Sequence, residues 1–340
     1  MSPPPLSRQS RRHRQAVSDF EVAILQALES QPRCVHPKFL YDEAGSAWFS
    51  RICDLPEYYV TRVEMDILRA HAQEIAQCVG PAADLIEFGA GSSRKIRSLL
   101  PNLRAPVRYC PVDISGVHLR AGARQLQQDM PWLHVKPVEA DILSPITLPP
   151  LPRSRLPVQP QGQAAVSVRR VGLFLGSSLG NFDASEACSF LMLARGLLKG
   201  GGLLIGVDLV KDPAVLHAAY NDTAGVTAAF NLNLLERANR ELGTNFHASA
   251  FFHHACYRPP ERCVEMHLVS QVRQEVVLGD RSFVLAEGDA IHTETSRKYT
   301  LDALQTLARS CGWVPGPAWS DVQGWYALQW LDASAPVASA

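Results

Sequence analysis

The residues best placed to do chemistry lie in LIEFGAGSSRK, Leu85 to Lys95. A short apolar run (Leu85, Ile86, Phe88) carries one acid, Glu87, and ends in Gly89-Ala90-Gly91; Ser92 and Ser93 then open an amphipathic segment through Lys95, Ile96, Leu99 and Leu100. That order reads as a strand, a tight glycine turn and a helix start. Glycine lets backbone approach a ligand closely, and the unpaired N–H groups of a helix start favour polar or anionic atoms. The chemistry implied is nucleotide binding, although such a turn taken alone serves equally as a structural turn.

The following residues narrow the nucleotide. A dinucleotide fingerprint needs a third small residue where this chain has Arg94, which disfavours a nicotinamide cofactor. S-adenosylmethionine has no pyrophosphate to seat and uses a shorter turn. A second strand, Val107 to Asp113, ends in an acid 22 residues beyond Gly91, close to the ~20-residue offset of a carboxylate that binds a ribose diol. A third strand, His134 to Val138, is closed by Glu139-Ala140-Asp141. Each acid alone is an ordinary turn former, but ligands of open α/β sheets bind outside the carboxyl ends of the strands, where both acids fall.

These positions need a framework of alternating strands and helices. A helix over Thr61–Val79 leads into the glycine-turn strand, and Ser115 is placed to cap the helix after Asp113. A fourth strand, Val171 to Leu175, runs into Gly176-Ser177-Ser178-Leu179-Gly180-Asn181; Asn181 either offers its amide to a substrate or caps the helix starting near Ala184. A fifth strand, Leu203 to Leu209, carries Asp208. From residue 211 the pattern changes to helical segments and then alternating stretches, CVEMHLVSQVRQEVVL and SFVLAEGDAIHTETSRKY, which read as antiparallel strands with one solvated face. Two strands, Trp313–Trp319 and Trp325–Leu331, close the sheet as a hairpin. A parallel sheet closed in this way is the arrangement of S-adenosylmethionine-dependent methyltransferases.

Upstream, Phe20, Ile24, Leu25 and Leu28 have helical spacing, and Ser46 is placed to cap a helix carrying Trp48, Phe49 and Ile52. The adjacent Tyr58 and Tyr59 follow a proline turn, and either both pack in the core or one meets a ligand. Residues 1–17, rich in Pro, Ser and Arg, read as a disordered tail, and residues 144–168, rich in proline, as a loop insertion. Lys+Arg and Asp+Glu are both 33, so no global charge recruits nucleic acid. No apolar run approaches the roughly 20 residues that span a bilayer. Eight scattered cysteines without a C-x-x-C pair fit buried thiols in a reducing compartment. Cys256 and Cys263 lie near His253 and His254, but their spacing matches no familiar zinc pattern, and no metal is expected.

Several segments together resemble the histidine-specific Nα-methyltransferases: LYDEAGSAWFSRICDLPEYYVTRVE, IEFGAGSSRK, PVDIS, LGSSLGN, DLVKDPAVLHAAYNDTAGVTAAFN, VEMHL and IHTETSRKY. The resemblance covers nearly everything from Pro37 to Leu331. It implies an α/β fold, a Rossmann-like class I methyltransferase sheet with a terminal antiparallel hairpin, plus a smaller α+β substrate-binding domain. The expected division is 61–208 with 300–335 for the methyltransferase domain and 18–60 with 209–299 for the substrate domain.

The activity implied is trimethylation of L-histidine to hercynine, the first step of ergothioneine biosynthesis, with S-adenosyl-L-methionine as methyl donor. Gly89, Gly91, Lys95, Asp113 and Asp141 fall on cofactor positions, with Asp113 on the ribose hydroxyls and Asp141 on the adenine amino group. Asn181 and Tyr220 fall on positions that hold the amino-acid head group. Glu294, Ser296 and Tyr58 fall on those that address the imidazole, with Met266 as a wall beside the ring and Tyr41 near the substrate. No catalytic base is implied; Asn181 and Tyr58 position the substrate. By residue type alone, Glu294 reads as a solvated strand acid rather than a binding group, and only the resemblance reverses this. The departures are Val60, where the family's EYYPT has proline, and the 144–168 insertion. The expected protein is a cytoplasmic monomer acting on a small molecule, without nucleic acid or membrane partners. An enzyme for another aromatic amino acid, a nicotinamide dehydrogenase and a non-catalytic nucleotide-binding protein are the alternatives.

Overall fold

The structure, a computed structural model, describes residues 8–152 and 168–333. The chain divides into two compact units. The smaller holds residues up to Glu57, Leu216–Arg258 and Val264–Thr295; the larger holds Tyr58–Val215, Pro259–Cys263 and the residues from Ser296 on. Residues 58–60, 209–215, 259–263 and 296–299, expected in the substrate domain, therefore belong with the larger unit. The reason is visible in Leu209, which bridges Tyr299, and in Tyr59, whose hydroxyl donates to Asp208.

In chain order the strands are β1 (Arg33–Cys34), β2 (Asp84–Phe88), β3 (Arg108–Asp113), β4 (Val138–Glu139), β5 (Arg170–Phe174), β6 (Gly202–Asp208), β7 (Phe251–Arg258), β8 (Cys263–Ser270), β9 (Gln274–Leu278), β10 (Arg281–Leu285), β11 (Ala290–Arg297), β12 (Val314–Ser320) and β13 (Tyr326–Asp332). The larger unit is a seven-stranded sheet in the order β12-β13-β6-β5-β2-β3-β4. The five strands from β6 to β4 are parallel, and β13 runs antiparallel to β6 and β12. Every residue of β2 and β6 is buried, as expected of strands covered on both faces. Ile86, Phe88, Phe174, Ile205 and Leu331 share one core with Phe190 and Leu191 of the helix Ala184–Leu198. The strand order reverses between β2 and β5, so the crevice where such sheets bind ligands lies beyond the carboxyl ends of these two strands.

The central strands also carry buried charge. Arg108 donates to both oxygens of Asp84 at 2.8 and 2.7 Å, with neither side chain exposed. It donates as well to the Pro149 carbonyl, and Ile146 and Leu148 pack against the core. Residues 144–152 of the proline-rich stretch are thus anchored to the sheet; 153–167 lie outside the described residues.

Glu87 on β2 is buried and accepts a short hydrogen bond from the Tyr109 hydroxyl. Burial pushes its carboxyl up to about 7, against the lowering effect of that bond and of Lys95. The folded chain therefore holds a proton that the unfolded chain releases between about pH 4.5 and 7. The stabilising contribution is complete below about pH 4.5 and is lost as pH rises through 7. Glu87→Gln is expected to remove roughly 3 kcal/mol of this pH dependence, read as the change in urea midpoint between pH 4.5 and 8.

The smaller unit contains a four-stranded sheet, β1-β11-β8-β7, and the β9-β10 hairpin. The helix Val226–Leu242 packs inside it: Asn233 donates to Asp42, Arg237 to the Phe39 carbonyl, and Phe230 meets the rings of Tyr41 and Phe49.

Several local expectations are corrected. The first helix runs Arg8–Glu29, so residues 8–17 are helical rather than a disordered tail; no proline stands between Pro5 and Pro32, and arginine, glutamine and alanine favour a helix. Residues 1–7 lie outside the described residues. Ser46 is inside the helix Glu43–Ile52, whose cap is Asp42, accepting from Gly45 N at 2.7 Å. The helix expected over 61–79 is two, Tyr59–Ala70 and Ala72–Val79, separated at His71. Ser115 occupies the cap position but makes no side-chain cap bond; Asp113 accepts from its N–H instead.

Candidate active site

The glycine turn is built by β3. Gly89 N and Ala90 N both donate to the Val112 carbonyl, at 2.9 and 3.1 Å, and Gly89 has φ +68°. That left-handed conformation requires glycine. Gly91 is small for a different reason: its φ is ordinary, and a side chain there would meet no protein atom within 4 Å. The room beside Gly91 suits a ligand rather than the packing of the chain.

Register places the acids next to this turn. Phe88 pairs with Val112, and Asp113 pairs with Glu139, two residues before Asp141. Gly89, Asp113 and Asp141 therefore follow the carboxyl ends of three adjacent parallel strands. One oxygen of Asp113 accepts from Ser115 N at 2.8 Å. Burial raises the Asp113 carboxyl above its ordinary range, and the Ser115 N–H partly offsets this. Asp141 accepts from Leu143 N at 2.9 Å, which orders the loop after β4. The remaining acceptor capacity of Asp113 suits hydroxyl donors such as a ribose diol.

Lys95 has a second task. Its Nζ lies 2.8 Å from Glu64, whose carboxylate is wholly buried and also accepts from Gly176 N at 2.7 Å and Tyr326 OH at 2.6 Å. Glu64 thereby joins the loops after β2 and β5, on either side of the switch point. Sequence reasoning missed it, although it lies inside the EYYVTRVE stretch.

The loop after β5 is similarly tied. Ser177 is buried at φ +60°, and its Oγ accepts from Asp208 N at 2.9 Å. Asn181 ends the short 3-10 turn Ser178–Asn181. The helix that follows is capped by Asp183 and Glu186 in a reciprocal box, so Asn181 is not its cap. Among the described residues its side-chain amide makes no hydrogen bond, leaving it for a ligand.

Of the paired tyrosines, both are buried, Tyr58 at 8% and Tyr59 at 1% exposure. Tyr59 is fully engaged: its hydroxyl donates to Asp208 and accepts from Lys211, and its ring meets Trp325 edge-on. Asp208 also lies 2.8 Å from Lys298 Nζ, which donates at 2.8 Å to the hydroxyl of Ser296. Burial alone would raise the Asp208 carboxyl, but Lys298 and Lys211 hold it below its ordinary value; burial brings Lys211 down to about 8.

In the smaller unit, Tyr220 ends the helix Pro213–Tyr220, and its carbonyl is 2.8 Å from His253 Nε2. His253 Nδ1 accepts from Asn231, which leaves the ring proton on Nε2 for that carbonyl. Asn221 donates to the carbonyls of His217 and Ala255, and Asp222 accepts from Val226 N and Thr227 N. The segment that most strongly marks the family resemblance is thus largely a fold-forming turn that presents Tyr220. Tyr41 stands edge-on to Phe49 and Phe230.

Met266 on β8 is 2% exposed, and Glu294 on neighbouring β11 is 6% exposed. Along β11 the buried–exposed alternation slips at Thr293–Glu294, where two consecutive residues are buried, and this brings both Glu294 and Ser296 to buried positions. The solvated-acid reading of Glu294 is therefore excluded.

The cysteine–histidine neighbourhood is rearranged relative to expectation. His253 is used by Tyr220, Cys263 is buried, and Cys256 instead lies with Glu265 and His267, their ligand atoms within 4.8 Å of one another. The Arg258 guanidinium, 3.9 Å from Glu265, already supplies positive charge there and opposes a cation.

A sheet of this order, with a glycine turn after its first strand and acids after the next two, defines a class I S-adenosylmethionine-dependent methyltransferase. The particular family is shown by sequence: residues 20–333 match the histidine-specific, SAM-dependent methyltransferases, and the chain belongs to that family. It is 35% identical over 311 residues to the histidine N-alpha-methyltransferase of Mycobacterium tuberculosis, covering 90% of this chain and 92% of that one. It is also 30% identical to ergothioneine biosynthesis protein 1 of Neurospora crassa, covering 85% of this chain and 32% of that longer protein. Among solved structures, an S-adenosylmethionine-dependent methyltransferase from Clostridium acetobutylicum aligns over 84% of this chain and 98% of its own, with 11% identity and a TM-score of 0.46.

Proposed function

We propose that this enzyme methylates the α-nitrogen of L-histidine three times, giving hercynine. The observation that carries the reading is the placement of Glu294, buried on β11 beside the strand of Met266: a carboxylate withdrawn from water makes a strong, charge-assisted hydrogen bond with an imidazole N–H. Met266 supplies an adaptable apolar wall for the ring. The Ser296 and Tyr58 hydroxyls address the imidazole, Asn181 and Tyr220 hold the head group, and Tyr41 lies near the substrate.

S-adenosylmethionine supplies an electrophilic methyl group, so the protein's work is orientation. Asp113 and Asp141 hold the ribose and adenine ends, Gly91 gives the ligand room, and Lys95 with Glu64 keeps the turn and the β5 loop in register. Asn181 fixes the head group by a neutral amide, which holds the nitrogen without a tight ion pair as its hydrogens are replaced one by one. No side chain is assigned as a strong base; the amine binds neutral or loses its proton to water.

Incubation of the purified protein with S-adenosylmethionine and each of the twenty amino acids tests this. Mass gains of about 14, 28 and 42 Da on histidine alone are expected. Products on another aromatic amino acid instead would assign the enzyme to that substrate, and no product on any would favour a binding protein. We further propose that it acts as a monomer in a reducing, cytoplasmic setting. All eight cysteines are free thiols, and no described helix is long and apolar enough to cross a membrane. Light scattering tests the oligomeric state.

A further inference from the structure

The substrate candidates on β11 are followed by a group to which no role has been given. Lys298 sits two residues beyond Ser296, and its side chain is wholly buried. Two of its contacts lie at 2.8 Å, Asp208 Oδ2 and Ser296 Oγ. Asp208 in turn is held by Tyr59 OH, Lys211 and the backbone of β6, at the carboxyl end of the parallel sheet. The lysine is therefore not a surface charge resting on a serine. It is fixed at its far end by a carboxylate that cannot move.

The direction of the bond has a chemical consequence. An ammonium can only donate, so Ser296 Oγ accepts from Lys298 and its own proton must point elsewhere. A hydroxyl that accepts from a cation is polarised into a better donor and a poorer acceptor, and in a buried site this polarisation is undiluted by water. A ring N–H meeting Ser296 would also face the nearby ammonium, whereas a bare ring nitrogen would not.

We propose that Lys298 is a positioning residue that fixes the Ser296 hydroxyl as a donor, so that the site selects an amino acid whose ring carries an acceptor nitrogen opposite Ser296. This rests on the reading of Ser296 as an imidazole contact. Glu294 addresses the N–H of the ring, and Ser296 reads its unprotonated nitrogen. A pyrrolylalanine, which keeps one N–H but has C–H where histidine has the acceptor, is the discriminating analogue.

The test compares histidine with that pyrrolylalanine in wild type, Ser296→Ala, Lys298→Met and Lys298→Gln, with S-adenosylmethionine affinity measured for each. Wild type is expected to prefer histidine by at least about 30-fold in kcat/KM. Lys298→Met should cut that preference about tenfold through KM for histidine, with kcat and cofactor affinity little changed. Lys298→Gln, which can still donate to Ser296, should recover part of it. If Lys298→Met keeps the full preference while Ser296→Ala loses it, the lysine has no positioning role and the proposal fails. If Ser296→Ala keeps the preference, the underlying assignment of Ser296 fails first. Should Lys298→Met fail to fold, Lys298→Gln against Ser296→Ala decides: a full loss of preference in the glutamine variant, equal to that in the alanine variant, overturns the claim that donation to Ser296 is what matters.

Discussion

Replacing Glu294 with alanine is expected to lower kcat/KM for histidine about 30- to 150-fold, as a lost hydrogen bond to a charged acceptor of ~2–3 kcal/mol implies. Binding of S-adenosylmethionine should be unaffected, because the residues proposed to hold it lie after β2, at the end of β3 and in the loop after β4. The same change should admit phenylalanine and other apolar aromatic amino acids. In wild type those rings leave a buried carboxylate without the imidazole N–H; in the variant there is no carboxylate to satisfy. Steady-state kinetics with histidine and phenylalanine, alongside a melting curve, are sufficient. Unchanged histidine kinetics would remove Glu294 from the site.

The second large effect separates two glycines only one residue apart. Gly91→Val should weaken S-adenosylmethionine binding at least about 100-fold while the melting temperature stays close to wild type, because a Cβ added there meets no protein atom within 4 Å and the side chain overpacks the ligand. Gly89→Ala should do the reverse in part: it forces a side chain into φ +68° and is expected to destabilise the protein by about 1–2 kcal/mol. Calorimetric titration of the cofactor and thermal melts of both variants distinguish the two roles. A Gly91→Val protein that binds the cofactor normally would show that the ligand does not pass over this turn.

Much of this organisation is legible in the chain because it is local. The glycine turn, Asp113 and the parallel strands each depend on a dozen residues or fewer, and hydrophobic runs with acids at their ends announce them. Asp42 and Ser46 show where local reading slips. Two cap-competent residues lie four apart, and only the folded chain reveals that Asp42 reaches Gly45 N and starts the helix first. The break at His71 has no proline or glycine to signal it.

Glu294 is a harder case. A threonine- and glutamate-rich strand reads as half solvated, and the slip in its alternation at Thr293–Glu294 depends on how β11 lies in its sheet. Glu64 and Lys298 were hidden for a different reason. Their partners, Gly176 and Tyr326 for Glu64 and Asp208 for Lys298, come from elements far away in sequence. Composition marks them only as charged residues, which ordinarily face water.

The pairing of β1 with β11 has a bearing on how the chain is made. Arg33 and Cys34 lie opposite Ile291 and His292, in a parallel register that nothing nearer in sequence provides. During synthesis at roughly 5–20 residues per second, β1 therefore waits about 15–50 s for β11, its only strand partner among the described residues. The parallel strands β2 to β6 are complete by Asp208, much earlier. The half of the protein proposed to hold the cofactor can assemble while the ribosome is still adding the residues proposed to choose the acceptor. A nascent chain stalled between these two points should bind S-adenosylmethionine before it can distinguish one amino acid from another.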